Sequence, residues 1–225
     1  MKDDFPYDTT NTWEMNRALF ERLGNHVQEG PFKGMWIPEE SAWDDSQGMK
    51  LIGGYEYELQ PTIRKAIERQ PYVIANIGAA EGYYAIGIAR ALPFAWIIVS
   101  EIDKKSIELC RLAAKENKVL NRIRFQYSFP LNEVNLMIVD CEGCEKQLLQ
   151  HHDQLINCDL VVECHDAVEP NITEQIAEKF AATHHVQIIY PVPDYKHKFK
   201  LNEKFVVLQD VRPDRVAWLA CWASR

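Results

Sequence analysis

The chain has no apolar run of eighteen residues, so it lacks the length of greasy sequence that a membrane-crossing helix needs. Its opening stretch, MKDDFPYDTT, lacks the basic-then-apolar order of a secretory leader, and a cytoplasmic location is expected. Internal repeats and low-complexity tracts are absent too. Basic residues are outnumbered: 25 Lys and Arg against 33 Asp and Glu leave a net charge of −8. A surface of that sign repels phosphate backbones, so nucleic acid is not an expected partner, and without a long apolar run neither is a membrane. Six cysteines in 225 residues are too few for a disulfide scaffold, and buried free thiols are the expectation in a reducing compartment. There the sequon Asn171-Ile172-Thr173 is coincidence. What is present is an ordinary globular composition, 47% apolar and 26% charged. That length and composition suit one α/β core with a modest extension.

Residues 1–70 read as the extension, helical in part. Asn11 and Glu14 have the spacing of a capping box, and Leu19, Leu23 and Val27 continue an apolar helical stripe. Residues 28–54 are rich in Gly, Pro and Trp without periodicity, which predicts an ordered loop. Pro61 suits the first turn of a short helix ending near Arg69. From residue 71 the pattern alternates. Strands are predicted at 72–77, 96–100, 123–126, 134–139, 160–164 and 186–190, with helices at 82–92, 104–118, 145–155 and 172–183. Segments 205–209 and 216–222 are expected to close the chain as an antiparallel pair. Repeated β-α units of this length predict a mainly parallel sheet with helices on both faces. Ligands of such sheets bind at the carboxyl ends of the strands, so chemistry is sought just after each strand.

The first strand ends in Asn76-Ile77-Gly78-Ala79-Ala80-Glu81-Gly82, two glycines in a turn that opens a helix. Gly78 permits a tight turn and Gly82 a close backbone approach. The second strand ends in Glu101-Ile102-Asp103, about twenty residues on, where an acid holds ribose hydroxyls. Together these features point to an adenosine-bearing ligand.

NIGAAEGYYAIGIAR, then IIVSEID, then LMIVDCEGCEKQLL resembles class I S-adenosylmethionine-dependent methyltransferases, specifically the FkbM-like family. GPFKGM and LIGGYEYEL are similar to segments that precede the catalytic domain in one branch of it. The resemblance covers roughly residues 30–170. It implies a Rossmann-like fold with a seven-stranded, mainly parallel sheet and an antiparallel C-terminal hairpin. It also implies S-adenosylmethionine as donor and methylation of a hydroxyl on a small molecule or saccharide. The cofactor-contacting set it implies is Asn76, Gly78, Ala79, Glu81, Gly82, Tyr83, Glu101, Ile102 and Asp140. Asn76 stands where many relatives have Asp. The second departure is the link 127–133 between the third and fourth strands. In the family's strand order two other strands separate these, a gap of roughly 14 Å, which seven extended residues can span without a crossover helix. The adenine pocket is then expected to be more open than usual, or covered by the extension.

The segment Asp140-Cys141-Glu142-Gly143-Cys144-Glu145 admits two chemistries. Cys141, Cys144, Cys158 and Cys164 approach a zinc-like spacing, but the last two flank one predicted strand and lie roughly 17–20 Å apart, too far for one ion. A redox dithiol at Cys141 and Cys144 is disfavoured by Glu142 and Glu145 and favoured by a helix N-terminus. Small apolar fillers are the plainer account of the two sulfurs. The carboxylates carry more. Asp140 ends the fourth strand and Glu163-Cys164-His165-Asp166 the fifth, and one intervening helix makes those ends adjacent. His165 or Asp140 could take a proton from a hydroxyl. Alternatively Asp140 and Asp166, with Glu163 or His165, could hold Mg²⁺ or a similar hard cation. The plain alternative has Asp140 and Glu142 capping the next helix and His165 on the rim. His151-His152 and His184-His185 read as solvated surface. A non-catalytic nucleotide-like ligand-binding or scaffold domain is the competing reading. The acceptor and any homo-oligomer are not legible.

Overall fold

Apolar runs bounded by turns form five parallel strands. They are Val73–Ile77 (β1), Trp96–Ser100 (β2), Ile123–Phe125 (β3), Leu136–Val139 (β4) and Asp159–Cys164 (β5). The computed structural model describes residues 12–43, 45–193, 195–201, 204–209 and 216–224; Asn11 of the expected capping box lies outside them. β4 and β5 are buried along their whole length, as central strands covered on both faces must be. Two more strands, His184–Ile189 (β6) and Ala217–Ala223 (β9), complete a sheet of order β3-β2-β1-β4-β5-β9-β6. β9 runs antiparallel to both β5 and β6.

Successive residues of each strand face opposite sides, and each side has its own core. Ile74, Ile97, Ile138 and Val161 pack with the helices Tyr83–Ala91 (α4) and Lys104–Glu116 (α5) and with the N-terminal segment. That segment contributes Leu19 from Thr12–Leu23 (α1), Met49 from Gln47–Ile52 (α2) and Ile63 from Gln60–Glu68 (α3). Ala75, Met137, Leu160 and Val162 pack with Gln147–Gln150 (α6), His152–Leu155 (α7) and Ile172–Phe180 (α8). None of the described helices is long and apolar enough to cross a membrane.

The β3–β4 connection passes two strands and carries only a 3-10 turn, Leu131–Glu133, as the short link required. Other expectations need correction. Segment 28–54 holds α2, which ends at Gly53 in the left-handed conformation with φ 82°. The helix expected over 145–155 is interrupted at His151. Segment 205–209 does not pair with the last strand. It lies in Lys204–Gln209 (β8), which pairs with Lys196–Leu201 (β7). The last strand, AWLACWA, is apolar and buried throughout, and so it belongs inside the sheet. β7 alternates lysine with Phe199 and Leu201, which suits a hairpin with one packed face. His184 is buried rather than solvated; its Nε2 lies 2.9 Å from the Cys158 carbonyl and its Nδ1 2.8 Å from the Thr183 hydroxyl.

Candidate active site at the ends of the parallel strands

The ends of β1, β2, β4 and β5 meet because their pairing is in register: Ile77 stands opposite both Ser100 and Val139, and Val139 opposite Val162. Two backbone bonds extend the ladder. Gly78 N–H donates to Ser100 O at 2.9 Å, and Asp140 N–H to Ile77 O at 3.0 Å. Gly78 has φ +70°, and a Cβ there would lie 1.5 Å from the Asp140 carbonyl oxygen. Only glycine allows this turn to lie against the end of β4.

After Asp140 the chain makes a turn with Glu142 at φ 55° and Gly143 at φ 112°. The turn is closed by a disulfide between Cys141 and Cys144, so these sulfurs are bonded rather than separate apolar fillers. Cys110, Cys158, Cys164 and Cys221 are buried free thiols. Neither Asp140 nor Glu142 caps the next helix, since α6 starts only at Gln147 and its N-cap is Lys146.

The turn delivers Glu145 into the interior. Its Oε1 lies 2.5 Å from His165 Nδ1 and also accepts the Gly143 N–H at 3.2 Å. The other imidazole nitrogen, Nε2, faces Glu142 Oε2 at 3.4 Å, Asp140 Oδ1 at 3.7 Å and Glu163 Oε2 at 3.7 Å. Four carboxylates thus surround one imidazole. Burial acts to lower the His165 pKa, but the Glu145 hydrogen bond and the charges of Glu145, Glu142 and Asp140 outweigh it and raise the value. Burial raises the Asp140 pKa, against a hydrogen bond from Glu163 and the attraction of His165. For Glu145 burial is outweighed by the His165 hydrogen bond, and its pKa is lowered. His165 and Glu163 are buried, whereas Asp140 keeps about a third of its side chain exposed, at 32%. The cluster opens to solvent through Asp140 and Glu142.

Asp140, Glu163 and His165 therefore come together as expected, but Asp166 does not join them. Its carboxylate accepts from the Thr173 N–H at 3.2 Å and from the Thr173 hydroxyl, at the start of α8. Each Asp166 oxygen is thus engaged by Thr173, and among the described residues the acids and histidine whose ligand atoms lie within 4.8 Å of one another are Asp140, Glu163 and His165. Sequence reasoning missed Glu145.

The adenosine-side candidates divide in two. Glu101 is buried, and its carboxylate accepts from the N–H groups of Ala80 at 2.8 Å, Ile102 at 2.6 Å and Asp103 at 2.9 Å. Ile102 beside it is exposed. Ala79 is buried in the turn, where Ala80 takes φ 45°. Asn76 is buried with its Oδ1 lacking a hydrogen-bond partner. Glu81, Gly82 and Tyr83 turn instead toward the protein interior. Glu81 forms a buried ion pair at 2.6 Å with Lys50 of α2. A Cβ on Gly82 would lie 2.5 Å from Cys110 Sγ, and the Tyr83 ring packs edge-on against Phe32 and Tyr55. Trp36 and Trp43 belong to the extension as well; Trp43 donates its indole N–H to Ser106 at 3.0 Å.

No protein-family model matches this chain, and no curated protein does. Solved structures do match its fold. Precorrin-6y C5,15-methyltransferase from Geobacter metallireducens aligns with a TM-score of 0.51 and 13% identity, covering 73% of this chain and 89% of that one. A methyltransferase from Geobacter sulfurreducens gives 0.50 and 15%, covering 72% and 76%. The tRNA (m1A58) methyltransferase TrmI from Aquifex aeolicus gives 0.50 and 8%, covering 76% and 69%. At these identities the likeness is one of fold: a mostly parallel seven-stranded Rossmann-like sheet with antiparallel pairing toward the C-terminus, as in methyltransferases.

Proposed function

We propose that the chain is an S-adenosylmethionine-dependent methyltransferase that methylates a hydroxyl of a small molecule or saccharide. The observation that carries this is the convergence of a glycine turn, an acid after β2 and a carboxylate–histidine cluster at one edge of a methyltransferase fold. The FkbM-like motifs of the sequence favour the same reading.

The residues present suit the donor. Glu101 offers about four lone-pair sites as a carboxylate, and its three backbone bonds leave room for a ribose hydroxyl. Exposed Ile102 supplies an apolar surface for adenine. The unpartnered Asn76 Oδ1 is an acceptor suited to an ammonium group. Glu81 and Tyr83 brace the turn against the extension and leave the contact to Gly78, Ala79 and their neighbours. When bound, the donor supplies an electrophilic methyl group on a sulfonium, transferred by in-line displacement. The acceptor oxygen must then be lined up and relieved of its proton, and this reading gives that role to Asp140 and His165, which lie together at the strand ends.

The test is Asp140→Ala. Turnover of S-adenosylmethionine should fall at least ~100-fold while S-adenosylhomocysteine still binds. Unchanged turnover would remove Asp140 from the reaction, and a protein that never turns over the donor would be a binding or scaffold domain.

A further inference from the structure

Four carboxylates around a single imidazole leave an excess of negative charge that a proton or a metal ion must offset. We infer that Asp140, Glu163 and His165 form a site for a first-row divalent cation. The inference rests on geometry. One oxygen from each carboxylate and one nitrogen of His165 lie within 4.8 Å of one another. Both carboxylate distances to Nε2 are 3.7 Å, too long for hydrogen bonds. Donors around a tetrahedral ion at about 2.1 Å stand about 3.4 Å apart, so a small contraction would bring these three onto one ion.

A second observation fixes the direction of the donor. Glu145, fully buried, accepts from Nδ1, so the proton of a neutral imidazole sits there and the Nε2 lone pair faces Asp140 and Glu163. A carboxylate behind a histidine is the arrangement that orients a metal-bound imidazole and raises its basicity. The single nitrogen ligand favours Zn²⁺, Co²⁺ or Fe²⁺ over Mg²⁺ or Ca²⁺, which take oxygen ligands. The open side, at Asp140 and Glu142, leaves a coordination position for a hydroxyl. This rests on the reading above for its purpose and puts the ion in place of direct proton removal by Asp140 or His165: an acceptor hydroxyl on the ion would ionise near neutral pH, its proton passing to Glu142 or to water. Binding of the ion itself does not depend on that reading.

The experiment is titration of chelator-treated full-length protein with Co²⁺, following visible absorption, and with Zn²⁺ and Mg²⁺ by calorimetry. One Co²⁺ per chain should bind, with the absorption of a low-coordinate ion. His165→Gln and Glu163→Gln should each weaken binding more than tenfold, and Glu145→Gln by about tenfold or more. Glu169→Gln, which removes only the pair with Lys146, should leave it unchanged. No saturable Co²⁺ binding, equal affinity in His165→Gln, or tighter binding of Mg²⁺ would each overturn the site. Should His165→Gln fail to fold, the wild-type and Glu163→Gln titrations decide. S-adenosylhomocysteine is titrated separately into metal-free protein, so absence of cofactor binding with the ion retained would sink only the methyltransferase reading.

Discussion

Glu145 Oε1 and His165 Nδ1 lie 2.5 Å apart, and no part of the Glu145 side chain reaches solvent. This pair ties the disulfide-closed turn after β4 to the end of β5. It decides which imidazole nitrogen faces the open site.

Glu145→Gln keeps the shape of the side chain but removes its charge. In metal-free protein the His165 pKa should drop, because the Glu145 hydrogen bond is the largest contribution raising it. Stability should fall by about 1–3 kcal/mol as a buried charged hydrogen bond is weakened. NMR titration of the imidazole and urea unfolding read the two effects separately. An unchanged His165 pKa would mean that Glu145 does not hold this ring.

A second buried pair locks the extension to the sheet. Arg69, just beyond α3, places Nε 2.6 Å from Asp159 Oδ2 and Nη2 3.1 Å from Oδ1. Asp159 Oδ1 also accepts the Ala223 N–H at 2.9 Å, at the end of β9. Asp159→Ala should cost about 3 kcal/mol in urea unfolding, the lower end for a broken buried pair because Arg69 keeps some solvent contact. A loss under about 1 kcal/mol would show that the pair is worth no more than a surface one.

His184 supplies a pH dependence of stability. Burial, aided by the charge of nearby His152, holds its pKa below the ordinary imidazole value, against its bond to the Cys158 carbonyl. The unfolded chain therefore takes up its proton first as the pH falls. The contribution is fully present above about pH 6.5 and is lost as the pH drops from there through the folded value. Urea midpoints at pH 7.5 and 5.5 should differ less in His184→Gln than in wild type. An equal difference in both proteins would place the acid sensitivity elsewhere.

The sheet was legible because its strands are buried on both faces. WIIVS at 96–100 and the β1 run are short apolar stretches bounded by turn residues, and their ends came out within a residue or two. The bare link at 127–133 was legible too, since too few residues remain for a crossover helix. The misses share a cause: each residue is defined by a contact distant in sequence. A glutamate at the start of an expected helix reads as a solvated first-turn acid, and nothing local shows that Glu145 meets an imidazole twenty residues on. His184 opens a strand whose neighbours alternate with polar residues, so its bond to Cys158 was invisible. The lysines of β7 disguise a strand as a loop, because they alternate with the inward-packed His197, Phe199 and Leu201.

The central claim is that the turn at Gly78 and the carboxylate of Glu101 bind an adenosine-bearing methyl donor. Its most direct test is calorimetric titration of the purified protein with S-adenosylmethionine and S-adenosylhomocysteine. The account predicts saturable binding of one ligand per chain, lost in Glu101→Ala and kept in Asp140→Ala. Absence of binding to either ligand by a folded wild-type protein would contradict it, leaving a methyltransferase fold without the cofactor.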